Sequence, residues 1–268
     1  MKKGINFLVF SNLYIAFISF WTCKTTFKLF DLTVNEDLIY FVGASTLCSY
    51  SLHWALTFGD NGNSERLKWT AENRHILYIL ALVSSLFVVY FAWQLIEFWA
   101  ILLPLAMFTF IYTAPKIPFA PFTYLRGKVI AKTLYLAVVW TVVVAVLPIV
   151  VSKTLWTPAM LLFTFNRFIF LFLICALFDY RDKSSDAKDG VQTVHAVLSD
   201  KRFDNTFYLC MAFELTSLGG LFYNGFSLIQ LLPFLFTAFL LLFFFEKAKK
   251  TTSDYWFYIF LDGLMIGF

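Results

Sequence analysis

Residues 158–178 read PAMLLFTFNRFIFLFLICALF, and this stretch decides the fold class. It is apolar throughout except at Thr164, Asn166 and Arg167, and a helix of about 20 such residues crosses the roughly 30 Å hydrocarbon core of a bilayer. Its apolar residues do not alternate with polar ones, as they would in a strand of a membrane β-barrel. The stretch therefore predicts a transmembrane helix.

The composition of the whole chain agrees with a lipid environment. Of its 268 residues, 60% are hydrophobic and 14% are charged, and the mean hydropathy is +0.74, whereas about 25% of the residues of a soluble domain are charged. The sequence predicts one all-α integral membrane domain over residues 1–268, with about nine transmembrane helices. These lie at 5–23, 39–59, 76–94, 96–114, 129–151, 158–178, 206–223, 227–245 and 255–268. The last run would reach only about 21 Å, so it either spans incompletely or borrows length from its flanks.

Basic residues are distributed unevenly between the two sides of this predicted bundle. The N-terminus and the even-numbered loops hold 16 Lys and Arg residues, and the odd-numbered loops hold 3. Because cytoplasmic loops carry the excess of positive charge, we expect a multi-pass protein with a cytoplasmic N-terminus, in the cell membrane if the source is bacterial. The same asymmetry accounts for the net charge of +4. We therefore infer no nucleic-acid partner, and nothing in the sequence indicates a protein partner.

The loop that follows residues 158–178 begins with an acidic run, DYRDKSSDAKDG at 179–190. If the helix continues, its 100° per residue places Asp182 and Asp186 within about 60° of Asp179, so that three carboxylates share one face. Like charges at this spacing repel one another, and a positive ion would relieve the repulsion. Carboxylate oxygens suit Mg²⁺, which takes one or two carboxylates together with the phosphate oxygens of a substrate. The alternative is a solvated loop in which the aspartates alternate with basic residues.

The spacing of Asp179, Asp182, Asp186, Gly190 and Thr193 resembles the second aspartate-rich motif, D-x-x-D-x-x-x-D-x-x-x-G-x-x-T, of the UbiA superfamily of intramembrane prenyltransferases. Proteins of that family have nine helices, with metal-binding acids in the cytoplasmic loops after helices two and six, and the predicted topology is similar over nearly the whole chain. The connection between the fourth and fifth predicted helices is also similar. It contains Tyr112-Thr113-Ala114-Pro115, Leu125-Arg126-Gly127-Lys128 and the segment from Lys132 to Trp140-Thr141.

The resemblance implies a membrane transferase that moves a prenyl group from an allylic prenyl diphosphate to a lipophilic acceptor. It implies Mg²⁺ as the cofactor, held by Asp179, Asp182 and Asp186 against the diphosphate. Basic residues at the same interface would stabilise the leaving diphosphate. The candidates are Lys132, Lys128 and Arg126. Each of these also fits an ordinary cytoplasmic flank that anchors a helix. An aromatic ring, a quinone precursor, a porphyrin and a glycerol phosphate remain open as acceptors.

The family's first motif, N-D-x-x-D-x-x-x-D after helix two, is not recognisable. Depending on the register, His53 and Thr57, or Ala55 and Gly59, occupy the positions of its second and third acids. His53 and Asp60 are possible remnants on one helical face, although a packed or interfacial histidine is the alternative. Three interpretations remain: an active prenyltransferase with a rearranged first site, an enzyme acting on another phosphorylated lipid, or a non-catalytic isoprenoid-lipid-binding descendant. A transporter is a fourth, and it lacks a convincing internal repeat.

Polar residues inside apolar spans are candidates for function, because burying them in lipid is costly. Arg167 points away from the acidic row, and we predict that it forms a structural ion pair with Glu214 of the seventh span. Tyr112, near the cytoplasmic face, and Asp262, on the short last segment, are possible cavity residues.

Overall fold

The computed structural model describes residues 2–58, 64–117, 132–188 and 198–267, with Pro115, Lys132 and residues 184–188 described by their backbone alone. The structure is 87% helical and the described residues form no β-strand, so the all-α prediction is confirmed. The helices are α1 (Lys2–Phe10), α2 (Leu13–Leu29), α3 (Glu36–Ala55), α4 (Glu65–Glu72), α5 (Arg74–Gln94), α6 (Trp99–Thr113), α7 (Lys132–Thr141), α8 (Leu147–Val151), α9 (Pro158–Lys188), α10 (Asp200–Tyr223), α11 (Leu228–Lys250) and α12 (Asp262–Leu264). Shorter π-helical and 3₁₀ stretches extend them at Ile96–Phe98, Ala114–Lys116, Val142–Val146, Trp256–Leu261 and Met265–Gly267.

Five helical stretches among the described residues are long and apolar enough to cross a bilayer. They are Arg74–Gln94, Ile96–Thr113, Thr133–Val151, Pro158–Lys183 and Leu228–Lys250. Helices α1 and α2 together are also long and apolar enough for one span, which would be broken by the bend of 59° between them. These helices support a multi-pass membrane protein, but the predicted count of nine spans is not confirmed. Helices α3 and α10 are long enough but begin with charged residues, and they fall short of the other spans in apolar character.

The break between α1 and α2 lies at Asn12, inside the first predicted span. Asn12 has a φ of 69°, a left-handed conformation that asparagine adopts more readily than most residues. Its side-chain amide donates to Ser51 Oγ of α3 at 3.3 Å, and its Oδ1 accepts a hydrogen bond from Arg66 Nη2 of α4. The sequence predicts one uninterrupted helix over 5–23, and these bonds to two other helices explain why the chain turns there instead.

Helix α9 is the central helix of the bundle. Of an apolar stretch of 18 residues in α9, 61% are buried, against 11% in α5. Helix α5 exposes apolar and aromatic side chains over most of its surface. Helix α9 packs against α7 and α10, and its residues Phe170, Leu173 and Leu177 belong to the largest hydrophobic cluster. The acidic end of α9 therefore continues from the most buried of the five candidate spans.

The last segment, residues 256–267, runs back along α11. At one end Lys247 Nζ lies 4.2 Å from the ring centroid of Trp256. At the other end Gly267 packs so closely on Thr237 that an added Cβ would overlap its methyl group and would lie 3.4 Å from the carbonyl oxygen of Pro233. The distance from Pro233 to Lys247 along a helix is about 21 Å. The segment by itself is therefore shorter than the hydrocarbon core of about 30 Å, as its length predicts.

Candidate functional site

Asp179 lies at the acidic end of α9 and is only 2% exposed. Its Oδ2 accepts a hydrogen bond from the hydroxyl of Thr133, in the first turn of α7. The neighbouring residue Lys132 begins the same turn, although its side chain is not described. Thus the structure brings the turn that carries a predicted diphosphate-binding lysine beside a predicted metal ligand from a different helix.

Asp182 is one helical turn further along α9, and Arg181 occupies both oxygens of its carboxylate. Arg181 Nε donates to Asp182 Oδ1 at 2.7 Å, and Nη2 donates to Asp182 Oδ2 at 3.1 Å. The same Nη2 lies 3.1 Å from the hydroxyl of Tyr258 in the last segment. This is the forked arrangement in which arginine binds a carboxylate most strongly. A metal ion at Asp182 would therefore compete with this ion pair for the carboxylate.

Other predicted site residues lie partly or wholly outside the described part of the chain. Asp186 belongs to α9, but its side chain is not described, and Asp60, Arg126 and Lys128 lie outside the described residues. Among the side chains that are described, no three His, Cys, Asp or Glu residues are grouped so that they could hold a metal ion. Two of the three predicted carboxylates are thus located, and the position of the third stays a prediction.

Arg66 lies in the short helix α4 and is the centre of a buried cluster that we call the Arg66 clasp, formed by Arg66, Asn12, Trp54, Asp254 and Tyr258. Its guanidinium carbon lies 4.0 Å from the ring centroid of Trp54 and 4.3 Å from that of Tyr258, and the residue is 2% exposed. Its backbone N–H donates to Asp254 Oδ2 at 3.0 Å. The clasp joins α3, α4, the α1–α2 break and the last segment beside Arg181, whose Nη1 lies 3.7 Å from Asp254 Oδ1.

Burial and the neighbouring acidic groups shift the pKa of Arg66 in opposite directions. Burial lowers the pKa of its guanidinium from the usual value, and the phenol of Tyr258 and the carboxylates of Asp262 and Asp254 oppose that shift. Sequence reasoning counted Arg66 and Arg181 only as basic loop residues and assigned no role to Asp254. A signal for α4 exists in the Ser64 N-cap, whose hydroxyl accepts from the Leu67 N–H at 3.1 Å, but nothing in the spacing indicates a buried arginine.

His53, the possible remnant of the first motif, and Tyr112, a possible cavity residue, are in contact. Their rings stack with centroids 5.0 Å apart and an interplanar angle of 17°. Tyr112 also stacks on Tyr135 of α7, at 6.2 Å and 13°. The hydroxyl of Thr57, which donates to the carbonyl of His53 at 2.7 Å, accepts a hydrogen bond from Lys116. This aromatic stack joins α3, α6 and α7 near the acidic end of α9.

Asp262, in the short helix α12, is buried. It interacts electrostatically with Arg66 and Arg181 and with the phenols of Tyr14 and Tyr50. Tyr50 Oη in turn accepts a hydrogen bond from Trp140 Nε1 at 3.1 Å. The predicted role of Asp262 as a cavity residue stays a prediction.

The predicted ion pair between Arg167 and Glu214 is confirmed. Arg167 Nη2 lies 3.7 Å from Glu214 Oε1, and each side chain is 1% exposed. Asn166 supports the pair, since its side-chain oxygen accepts from Arg167 Nε at 3.1 Å and its amide donates to Ser217 Oγ at 2.8 Å. Twelve residues of α9, or about 18 Å, separate Arg167 from Asp179. The pair therefore belongs to the packing of α9 on α10 and not to the acidic end.

The comparisons with known proteins give no match: no family model, no curated protein and no solved structure matches this chain.

Proposed function

We propose that this chain is a multi-pass membrane prenyltransferase that moves a prenyl group from an allylic prenyl diphosphate to a lipophilic acceptor and depends on Mg²⁺. The observation that carries the proposal is the buried contact between Asp179 of α9 and Thr133 in the first turn of α7. It joins the start of the D-x-x-D-x-x-x-D row to the turn that begins with Lys132. An acidic row beside a basic turn, next to an aromatic interior, is an arrangement suited to a metal-bound diphosphate with an apolar tail.

The described residues fit Mg²⁺ in their donor chemistry. Asp179, Asp182 and the Thr133 hydroxyl offer hard oxygen ligands at the end of one buried helix, and Mg²⁺ takes such ligands together with phosphate oxygens. Asp186 would complete the row. When bound, Mg²⁺ would neutralise the charge that develops on the departing diphosphate.

The protein's own residues would do the remaining work by position and charge. Lys132, with Arg126 and Lys128, would hold the departing diphosphate by its oxygens. The prenyl chain would extend past the stacked rings of Tyr112 and His53 into the bundle, where aromatic faces attract a developing carbocation. Asp262 and Tyr50 would line the space that remains for the acceptor.

The same proposal places the N-terminus and the acidic end of α9 on the cytoplasmic side, with nine crossings that include α3, α10 and the last segment. Contacts between the predicted cytoplasmic loops support it. Lys2 pairs with Glu65 at 3.3 Å, and Lys249 pairs with Asp204 at 2.6 Å. Tyr255 Oη donates to Asn6 Oδ1 at 2.6 Å. The N-terminus and three even-numbered loops thus meet at one end of the bundle, as the positive-inside rule groups them.

A second candidate is a non-catalytic protein that binds isoprenoid lipids. Two observations favour it: the first acidic motif is absent from the sequence, and both oxygens of Asp182 are occupied by Arg181. The two candidates differ in the fate of the ligand, since only the enzyme cleaves the carbon–oxygen bond of a prenyl diphosphate.

The test is release of diphosphate by purified protein from geranyl, farnesyl and geranylgeranyl diphosphate, with a membrane extract as the source of acceptor. We expect release that stops with EDTA and falls at least about a hundredfold in Asp179→Asn and in Asp182→Asn, since each removes a metal ligand. Glu36→Gln, at an exposed acid in the first turn of α3, is the matched control and should not change the rate. Binding of a prenyl diphosphate without release would instead establish the second candidate.

A further inference from the structure

The ion pair between Arg181 and Asp182 joins a buried arginine to a predicted metal ligand whose side chain is 35% exposed. The Arg181 side chain is 9% exposed. Its Nε and Nη2 atoms are used by Asp182 and Tyr258, whereas Nη1 makes no hydrogen bond to the described residues and only faces Asp254 Oδ1 at 3.7 Å. Arg181 therefore has one buried N–H edge that the protein itself does not satisfy by a hydrogen bond.

While this pair is closed, Asp182 is poorly suited to bind a cation. Two charge-assisted hydrogen bonds use the carboxylate oxygens, and the guanidinium neutralises the negative charge that would attract a divalent ion. A metal ion approaching Asp182 alone would meet a carboxylate whose charge is already neutralised, and displacing the buried arginine would leave it without its closest anionic partner, which is costly.

A diphosphate would remove this obstacle. The planar guanidinium fork matches two phosphate oxygens as well as it matches a carboxylate, and the unsatisfied Nη1 edge provides a further donor. The rings of Phe257 and Tyr258, whose centroids lie 4.5 and 5.0 Å from the guanidinium carbon, would keep Arg181 in the site during the change. The guanidinium would thus exchange one anion for another while it stays buried.

We propose that Arg181 is a substrate-responsive residue that exchanges Asp182 for the diphosphate, so that the metal site is completed only when the substrate arrives. This inference rests on the proposed function and assigns Arg181 a role in it. Without this exchange, the site would bind the metal ion and the substrate independently of each other. The exchange would also place a guanidinium against part of the diphosphate charge in a protein whose first acidic motif is not recognisable.

The experiment measures binding of Mn²⁺, as a probe for Mg²⁺, to the full-length protein by electron paramagnetic resonance, without and with farnesyl thiolodiphosphate, a slowly reacting analogue. In the wild type we expect weak binding of Mn²⁺ alone and tight binding with the analogue. Arg181→Gln should bind Mn²⁺ alone at least about tenfold more tightly than the wild type, because Asp182 is released from two charge-assisted hydrogen bonds. Arg181→Lys, which keeps the charge but loses the fork, should show a smaller gain.

Two controls separate the exchange from a general effect of charge. Arg66→Gln removes a neighbouring buried cation but leaves the Arg181–Asp182 pair, so it should change Mn²⁺ binding less than Arg181→Gln does. Adding Asp182→Asn to Arg181→Gln should abolish the gain. Size-exclusion chromatography and circular dichroism check that each variant is folded. If Arg181→Gln does not fold, the comparison uses Arg181→Lys instead.

The outcomes distinguish this inference from the proposed function. Unchanged affinity for Mn²⁺ alone in both Arg181 variants, or a gain that persists without the Asp182 carboxylate, would overturn the exchange. Absence of Mn²⁺ binding in every variant, even with the analogue, would overturn the metal-dependent function itself.

Discussion

Nothing in the sequence distinguishes Arg66 from other basic loop residues, yet the structure leaves it only 2% exposed. A count of basic residues gives Arg66 and the exposed Lys68 equal weight, because both lie in an even-numbered loop. In the structure, Arg66 lies against the rings of Trp54 and Tyr258, whereas Lys68 is exposed. The difference arises from contacts with residues that are distant in sequence, such as Asp254, and no local pattern carries that information.

The first prediction concerns the Arg66 clasp. Replacing Arg66 with Met removes its cation–π contacts and its hydrogen bond to Asn12, and should lower the free energy of unfolding by about 2–3 kcal/mol. Thermal unfolding of the purified protein in detergent measures the change. Lys68→Met, on the same helix, is the matched control and should unfold near the wild-type temperature. Equal effects of the two substitutions would show that the clasp contributes nothing specific.

The second prediction concerns the buried pair of Arg167 and Glu214. Arg167→Met leaves the Glu214 carboxylate buried without its cation and should destabilise the protein by about 3–5 kcal/mol, whereas the double variant Arg167→Met/Glu214→Leu should recover much of that loss. Expression level and thermal unfolding of Arg167→Met, Glu214→Leu and the double variant measure the coupling free energy between the two residues. Additive losses would contradict the ion pair.

This pair also shows what the sequence does reveal at the scale of single residues. Two opposite charges within apolar spans have few ways to be satisfied in lipid, so pairing them follows from the cost of burial alone. Arg181, in contrast, is one of several basic residues in an acidic loop, and the sequence gives no reason to connect it with Tyr258.

At the scale of helices, two adjacent glycines of α10 differ in how closely they approach α9. An added Cβ on Gly220 would lie 2.6 Å from Leu162 Cδ2 of α9, whereas one on Gly219 would meet nothing within 4 Å. The two positions therefore offer a substitution and its control one residue apart.

The third prediction follows from this difference. Gly220→Val should destabilise the protein by about 1–3 kcal/mol through overpacking against α9. Gly219→Val should be neutral or slightly stabilising, because valine favours a helix more than glycine does. Thermal unfolding compares the two variants, and a larger loss for Gly219→Val would contradict the packing of these helices.

The helices themselves could mostly be predicted from apolar runs, and their interruptions could not. The π-helical stretch Val142–Val146 lies within a continuous apolar run, and it presents the Val144 carbonyl to the Thr26 hydroxyl of α2 at 2.6 Å. The break at Asn12 likewise depends on Ser51 and Arg66. In both places a hydrogen bond between helices overrides the pattern of the local sequence.

At the scale of the whole molecule, the all-α class and the multi-pass character follow directly from composition, because lipid leaves helices as the solution for long apolar runs. The number of crossings does not follow as directly. Helix α3, helix α10 and the last segment are too polar or too short to be assigned by hydropathy alone, so their place depends on neighbouring helices.

The fourth prediction tests the nine-crossing topology. In a cysteine-free background, a cysteine appended after Phe268 should react with a membrane-impermeant maleimide in intact cells, whereas Ser253→Cys, in the exposed turn before the last segment, should react only after the membrane is opened. Protection of both positions in intact cells would mean that the last segment does not cross the membrane.

The proposed function places a metal-bound prenyl diphosphate at the acidic end of α9. The most direct measurement is an experimental structure of the protein with Mn²⁺ and farnesyl thiolodiphosphate, with the metal located by its anomalous scattering. We expect a metal ion at coordination distance, about 2.1 Å, from oxygens of Asp179 and Asp182, with the Arg181 fork turned from Asp182 to the diphosphate. A diphosphate bound elsewhere, or a metal ion remote from both carboxylates, would contradict the account.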